Sequence, residues 1–200
     1  FRNTPIEMVG EVPLQWNENI QLYEALFQGD KSNFFKYPFG SNPAAMNLIS
    51  DAYTIEVYCQ SESAKPTTQI RPVGFPNNYG AGLQMMANGE VGYSTATLGY
   101  NSAGSVTKKL WHKTKTGTLT DEYTHYLIVY DRKKNFSRLY INGTLASSHV
   151  VCSKEAIHFE WAPSEWFAIG GDASGVFSSA SSTGAYPFNG KIAAVRIYGR

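Results

Sequence analysis

The stretch that decides the fold is Pro187-Phe-Asn-Gly-Lys-Ile-Ala-Ala-Val-Arg-Ile-Tyr-Gly199, near the end of a chain of 200 residues. Asn189-Gly190 supplies the turn that enters it. The side chains that follow alternate with period two, which predicts a strand with one buried face. That face carries Ala193, Val195 and Ile197, and the opposite face carries Ala194, Arg196 and Tyr198.

A second stretch, Tyr53-Thr-Ile-Glu-Val-Tyr-Cys-Gln60, has the same alternation and is the natural partner of the first. We expect Ile55, Val57 and Cys59 to face the core. On the exposed face, the pairing would place Glu56 opposite Arg196 and Tyr58 beside Tyr198. Because this pairing joins the last strand to one from the first third of the chain, it favours a β-sandwich.

Length and composition fit one globular all-β domain over residues 1–200, with 42% hydrophobic and 14% aromatic residues. The formal net charge of +1 gives no basic footprint for nucleic acid or an anionic membrane. No apolar run is long enough to insert in a membrane, and none reads as a signal peptide. Because the chain begins at Phe1, we expect a processed product or an excised domain without its signal or anchor.

The two cysteines, Cys59 and Cys152, are too few for a disulfide scaffold. Cys59 lies on the predicted core face of its strand, which favours a buried free thiol. A disulfide between the two stays open, because pairing depends on a geometry that the sequence does not give.

Turn signals divide the rest of the chain into strands. Residues 1–24 resemble an edge strand or a covering arm around Pro5 and Pro13. Asn88-Gly89 predicts a hairpin, and Tyr123 to Ala146 predicts three strands of a meander. Composition predicts a loop over Leu98 to Ser105 and another over residues 173–185.

The segment Asn17 to Phe27 has two interpretations. Apolar spacing allows a short helix, which Gly29-Asp30 would end. The alternative makes Ala25-Leu-Phe27 a strand and Asn33-Phe-Phe-Lys-Tyr37 the next one. A family resemblance favours the strands.

Several spaced blocks together resemble the laminin-G-like domains of bacterial secreted proteins, in the concanavalin A-like lectin/glucanase superfamily. The resemblance covers about residues 25–199, and Tyr123 departs from it, since the family usually has Trp there. The blocks are Ala25–Asp30, Asn33–Tyr37, Tyr53–Tyr58, Tyr123–Asp131, Arg138–Gly143, Phe167–Asp172 and Phe188–Tyr198.

The resemblance implies a two-sheet antiparallel jelly roll in an extracytoplasmic setting, often within a multidomain protein. It also implies a binding role for carbohydrate or for a surface protein. Family members often bind calcium through loop oxygens, and Asp172 and Asp30 are the weak candidates for such a site here. A lone Asp beside glycine is more often a turn former, so no cofactor is expected.

The superfamily also includes glycoside hydrolases, which need two carboxylates on one face. No predicted strand offers such a pair, since Tyr58 and Gln60 follow Glu56. The four histidines show no metal-ligand spacing.

Carbohydrate binding requires exposed aromatic rings beside planar polar groups. Most aromatic rings in such a chain are expected to cover core edges. The candidates are Glu56 and Arg196 on a sheet face and, in predicted loops, Trp111, His112, Tyr79, Tyr100 and Tyr186.

The sequence therefore predicts a single jelly-roll domain that is a non-catalytic binding module, directed at a glycan or a surface protein. One alternative is a glycoside hydrolase or lyase of the same fold. The other is a structural or protein-contact domain attached to a catalytic neighbour.

Overall fold

The computed structural model describes residues 6–37, 52–74, 81–100, 106–131, 133–134, 136–150, 167–171 and 186–199. At 95–100, 106–111 and 150 it describes the backbone alone. Tyr79, Asp172 and Cys152 lie outside the described residues, as does the loop predicted over 173–185.

The described secondary structure is all β. Its strands, in chain order, are β1 (Glu7–Val9), β2 (Leu14–Asn17), β3 (Leu22–Gln28), β4 (Phe34–Tyr37), β5 (Ala52–Ser61), β6 (Ile70–Gly74), β7 (Ala81–Met85), β8 (Val91–Tyr100), β9 (Val106–Lys113), β10 (Thr124–Asp131), β11 (Phe136–Ile141), β12 (Thr144–Val150), β13 (Phe167–Ile169) and β14 (Asn189–Gly199).

Within the described ranges these strands form two seven-stranded antiparallel sheets. Sheet 1 has the order β1-β4-β13-β6-β7-β8-β9, and sheet 2 has the order β12-β11-β10-β5-β14-β3-β2. The two-sheet sandwich confirms the predicted fold class. The predicted meander is confirmed as β10-β11-β12, and the hairpin at Asn88-Gly89 as β7-β8.

The core lies between the sheets. Ile55, Val57 and Cys59 are buried there, as their alternation along β5 predicts. Cys59 is a free thiol, and burial raises its pKa. Phe27 packs edge-on against the ring of Phe188, with centroids 6.1 Å apart, which ties β3 to the residue before β14.

The strand interpretation of the N-terminal segment is confirmed. Leu22–Gln28 and Phe34–Tyr37 are both strands. The alternative helix over Asn17–Phe27 is wrong, because Ala25 and Phe27 both face the core and so follow a period of two. The predicted arm contributes β1 and β2, which are edge strands of the two sheets.

Three local predictions along the sheets are wrong. Asn189-Gly190, predicted as the turn that enters the last strand, forms the first two residues of β14 and pairs with β3. Leu98 to Tyr100 belongs to β8, where a loop was expected. In β14 the register shifts between Ile192 and Ala194, so the buried face carries Ile192, and Ala193 forms a bulge.

The two open sides of the sandwich are built differently. Edge strands β9 and β12 meet through His112 and His149, whose rings stack with centroids 3.8 Å apart. The opposite side is bordered by β1 and β2, where Leu14 of β2 and Tyr23 of the neighbouring β3 are 65% and 66% exposed. No helix in the described part of the chain has the length and apolarity to cross a membrane.

Candidate functional site

The outer face of sheet 2 carries a first polar cluster around Glu56, in the middle of β5. Glu56 lies directly opposite Arg196 on β14, as the sequence predicts. Arg196 Nη1 donates to Glu56 Oε1 over 2.9 Å, and His125 Nε2 lies 3.1 Å from the same oxygen. The Tyr198 hydroxyl donates to Oε2 over 2.9 Å. Glu56 is therefore surrounded by three partly exposed partners.

The environment of Glu56 keeps it ionised. Burial raises the pKa of its carboxyl, but hydrogen bonds from Tyr198 and His125 and the charge of Arg196 together hold that pKa below its usual value. The cluster is thus a carboxylate fixed in position beside a guanidinium and a phenol.

The prediction that Tyr58 lies beside Tyr198 is wrong, because β5 and β14 are antiparallel. Moving from Glu56 to Tyr58 along β5 corresponds to moving away from Tyr198 along β14, so Tyr58 pairs with Ala194. Tyr58 packs against Tyr123 instead, with ring centroids 5.0 Å apart. This aromatic pair lies on the outer face, and both rings are partly exposed.

A second cluster surrounds Glu24 on β3, a carboxylate that the sequence analysis did not single out. Its side chain is fully buried and accepts hydrogen bonds from the Tyr123 hydroxyl and the Gln15 amide. Asn17 Nδ2 donates to Oε2 over 2.8 Å, and Lys191 Nζ lies 3.5 Å from Oε1. Both oxygens of Glu24 are satisfied.

These contacts fix the protonation of the second cluster. Burial raises the pKa of Glu24, but the hydrogen bonds from Tyr123, Asn17 and Gln15 and the charge of Lys191 outweigh it and lower the pKa to about 2. Burial and the bond to Glu24 raise the pKa of Tyr123. The phenol therefore stays protonated and remains a donor.

The contact between Tyr123 and Glu24 crosses two strands of sheet 2. Tyr123 directly precedes β10, and β5 and β14 lie between β10 and β3. Tyr123 packs on Tyr58, whose neighbour on β14 is Ala194, a residue with only a methyl side chain.

The outer face continues into a polar cleft of about 320 Å³ at the end of β5. Gln60 Nε2 donates to the Asp121 carbonyl over 2.7 Å across it. Lys191 belongs to both the cleft and the Glu24 cluster, so the two are continuous. The cleft is lined by Gln60, Ser61, Glu62, Asp121, Glu122, Gly190 and Lys191.

This arrangement offers two partly exposed aromatic rings between two fixed carboxylates, an ammonium and a guanidinium. Such a surface suits a hydroxyl-rich ligand, which stacks on rings and exchanges hydrogen bonds with planar polar groups. Glycoside hydrolysis, by contrast, needs one carboxyl whose pKa is raised so that it can donate a proton. Glu24 and Glu56 both have lowered pKa values, which does not fit the role of that acid.

The residues predicted from the sequence do not converge on one site. Glu56 and Arg196 lie together on sheet 2, whereas His112 lies in β9 and packs on His149. Trp111 and Tyr100 lie in strands β9 and β8, so their predicted loop placement is wrong; their side chains are outside what the structure describes.

Tyr186 packs against a buried guanidinium. Arg71 is 3% exposed, and its guanidinium carbon lies 4.1 Å from the centroid of the Tyr186 ring. Its backbone N–H donates to the Tyr186 carbonyl over 3.1 Å. Tyr186 is therefore engaged in packing, away from the two carboxylate clusters.

Asp30 forms a turn. Its Oδ1 accepts hydrogen bonds from the Ser32 hydroxyl and backbone N–H, over 2.7 and 2.8 Å, and these bonds lower its pKa. Among the described residues no three His, Cys, Asp or Glu side chains are grouped to hold a metal ion, and calcium binding through Asp172 or Asp30 stays a prediction.

Two features of the sequence indicate the cluster around Glu24, which the sequence-based prediction did not include. Glu24 is the one charged residue of the apolar strand Leu22–Gln28, and a charge inside such a strand requires a partner. Tyr123 is the position where the chain departs from the family it resembles. Neither signal says that the two side chains meet.

The fold and the polar sheet face define the class of protein: an antiparallel two-sheet sandwich with its polar clusters on one outer face. A laminin-G family model, described as "Concanavalin A-like lectin/glucanases superfamily", matches residues 39–200. The chain belongs to this family. No curated protein gives a significant sequence match.

Solved structures share the fold at low sequence identity. The binding domain of botulinum neurotoxin DC in complex with SialylT superposes with a TM-score of 0.67 at 13% identity, over 98% of this chain and 43% of that chain. The Ruminococcus gnavus IT-sialidase CBM40 superposes with a TM-score of 0.57 at 18% identity, over 82% of this chain and 84% of that one. The same CBM40 bound to alpha2,3 sialyllactose gives 0.56 at 18%. This chain therefore spans less than half of the toxin binding domain.

Proposed function

We propose that this chain is a carbohydrate-binding module whose glycan site is the Tyr58–Tyr123 face. We define this face as Tyr58, Tyr123, Glu56, Lys191 and Arg196, with the buried Glu24 beneath it holding the Tyr123 hydroxyl. The observation that carries the proposal is the aromatic pair, with ring centroids 5.0 Å apart, between two fully hydrogen-bonded carboxylates.

The fixed geometry of this face favours binding over catalysis. Side chains that are already held by hydrogen bonds lose little conformational freedom when a ligand arrives, which improves affinity. Lys191 and Arg196 are both paired with carboxylates, so the face is nearly balanced in charge. We therefore expect sugar hydroxyls to be the main groups that it contacts.

The comparisons support the same class of ligand. Structures with this fold include a toxin binding domain in complex with SialylT and a CBM40 bound to alpha2,3 and alpha2,6 sialyllactose. Glycans of this kind are displayed outside cells, which agrees with an extracytoplasmic setting. The sequence identity to these structures is only 12–18%, and such a likeness does not give the ligand. The experiment therefore includes both a sialylated and a neutral glycan.

The decisive experiment is titration calorimetry of the protein with 3′-sialyllactose and with lactose, after a glycan-array screen. We expect Tyr58→Ala and Tyr123→Ala to weaken binding about fivefold or more, taking the loss of one stacking ring as about 1–3 kcal/mol, the range for bases stacked on aromatic side chains. Tyr23→Ala is the matched control, because Tyr23 is 66% exposed but lies on the other face of β3. We expect it to bind like the parent.

The same titration separates the remaining possibilities. Equal binding of lactose and sialyllactose would identify neutral hydroxyls as the ligand groups. A loss of binding with a chelator would show that calcium takes part. If no glycan on the array binds, or if Tyr58→Ala and Tyr123→Ala both bind like the parent, the proposal is wrong.

A further inference from the structure

The polar cleft at the end of β5 differs in charge from the face that carries the aromatic pair. Three exposed carboxylates line the cleft, those of Glu62, Asp121 and Glu122. Lys191 is the cation among the described residues that line it, and its ammonium lies 3.5 Å from Glu24 Oε1. Because Glu24 matches the charge of Lys191, the cleft carries three formal negative charges in excess.

Both cations beside the aromatic pair are already held by carboxylates. Arg196 Nη1 lies 2.9 Å from Glu56 Oε1, and Lys191 is paired with Glu24, whose side chain is fully buried. A ligand carboxylate could bind either cation only by competing with the carboxylate that holds it. For Glu24 this competition is costly, because it removes a partner from a buried charge.

The cleft lies within electrostatic range of a ligand on the aromatic pair. Gln60 follows Tyr58 by two residues on the same face of β5, and two residues of a strand span about 7 Å. Gln60 Nε2 donates to the carbonyl of Asp121, which precedes Tyr123 by two residues. A separation of about 7 Å is shorter than the Debye length of about 8 Å at physiological ionic strength. The charges of the cleft therefore act on a ligand that stacks on the rings.

We infer that Glu62, Asp121 and Glu122 determine the specificity of the glycan site, which selects uncharged glycans and rejects those that carry a carboxylate. The inference rests on the proposed function, because it concerns the ligand of the Tyr58–Tyr123 face. A carboxylate on the ligand is repelled by the like charges of the cleft. The hydroxyls of an uncharged sugar can instead donate hydrogen bonds to the same side chains.

The test is titration calorimetry of the whole protein with two ligands that differ in charge, 3′-sialyllactose and its methyl ester. The ester keeps the sugar rings and hydroxyls of the acid but carries no charge. At about 0.01 M salt, where the Debye length is about 30 Å, we expect the ester to bind about tenfold more tightly than the acid. At about 1 M salt the Debye length is about 3 Å, and this ratio should fall below about twofold.

Matched variants assign the discrimination to the cleft. Asp121→Asn combined with Glu122→Gln removes two of the negative charges, and we expect the acid to gain about fivefold in affinity while the ester binds as before. Glu7→Gln combined with Glu11→Gln alters the net charge by the same amount. Glu7 and Glu11 are exposed and lie in β1 of sheet 1 and two residues beyond its end. We expect this control to keep the ratio of the parent.

The outcomes separate this inference from the proposed function. If glycans bind but the acid binds as tightly as its ester at low salt, the inference is overturned and the proposed function stands. The same holds if the variant with Asp121→Asn and Glu122→Gln keeps the ratio of the parent. If neither sialyllactose, nor its ester, nor lactose binds, the proposed function is wrong and the inference is wrong with it.

Discussion

Tyr123 and Glu24, 99 residues apart in the chain, are joined by a hydrogen bond from the phenol hydroxyl to the carboxylate. The bond spans β5 and β14 on the outer face of sheet 2. The phenol hydroxyl of Tyr123 is thus a donor that this chain uses to hold a buried charge.

Removing the Tyr123 hydroxyl tests how much its hydrogen bond to Glu24 stabilises the fold. We expect Tyr123→Phe to lower the free energy of unfolding by about 1.5–3 kcal/mol, because it removes a hydrogen bond to a charged group and leaves the buried Glu24 short of a donor. Urea denaturation measures the loss. Tyr58→Phe, on the neighbouring ring, is the control and should change stability by less than about 0.5 kcal/mol. Equal losses in the two variants would contradict this role of the hydroxyl.

Acid should weaken the fold through Glu24. Its folded pKa is about 2, below its ordinary value of 4.5, so its contribution to stability is complete above pH 4.5. That contribution is lost as pH falls towards 2, because the unfolded chain takes up the proton first. We expect urea midpoints to fall across this window and to fall less in Glu24→Gln. The exposed Glu11→Gln should behave like the parent.

The histidine pair should add a second pH dependence at higher pH. Desolvation and the neighbouring His149 lower the pKa of His112 from 6.5 to about 4. Below pH 6.5 the unfolded chain binds a proton that the folded chain rejects, so stability falls until about pH 4. His112→Phe keeps a flat ring beside Tyr93 and His149, and its thermal midpoint should fall less over this range. Identical profiles for the variant and the parent would contradict this assignment.

Position 170 requires glycine for two reasons, its left-handed backbone conformation and the close packing of the Phe27 ring. Its φ is +90°, and a Cβ there would lie 2.0 Å from Phe27 Cε1. We expect Gly170→Ala to cost about 2–5 kcal/mol, from a left-handed backbone and an overpacked core. Gly143→Ala has φ +78° with nothing within 4 Å of the added atom, so it should cost about 1–2 kcal/mol. Chemical denaturation compares the two, and equal costs would rule out the clash.

Where the prediction from the sequence failed, the cause is irregular or long-range pairing. The β8–β9 ladder has register shifts between Ser94 and Leu98 and between Gly99 and Tyr100. Such shifts break the period of two, so the composition of this stretch suggested a loop. The neighbourhood of Tyr58 was wrong because the pattern of each strand gives its faces but not the direction of its partner.

The sequence by itself determined the all-β class and the burial of Cys59, which follow from alternation along single strands, a local property. It also predicted the pairing of Glu56 with Arg196, because opposite charges lie on the exposed faces of the two strands. The tertiary structure alone decided that Tyr123 donates a hydrogen bond to Glu24 and that the pairing of β3 with β14 ends at Ile192, before the bulge at Ala193. Both depend on the order of strands in sheet 2 and on a bulge, and contacts between residues distant in the chain leave no periodic trace in either segment.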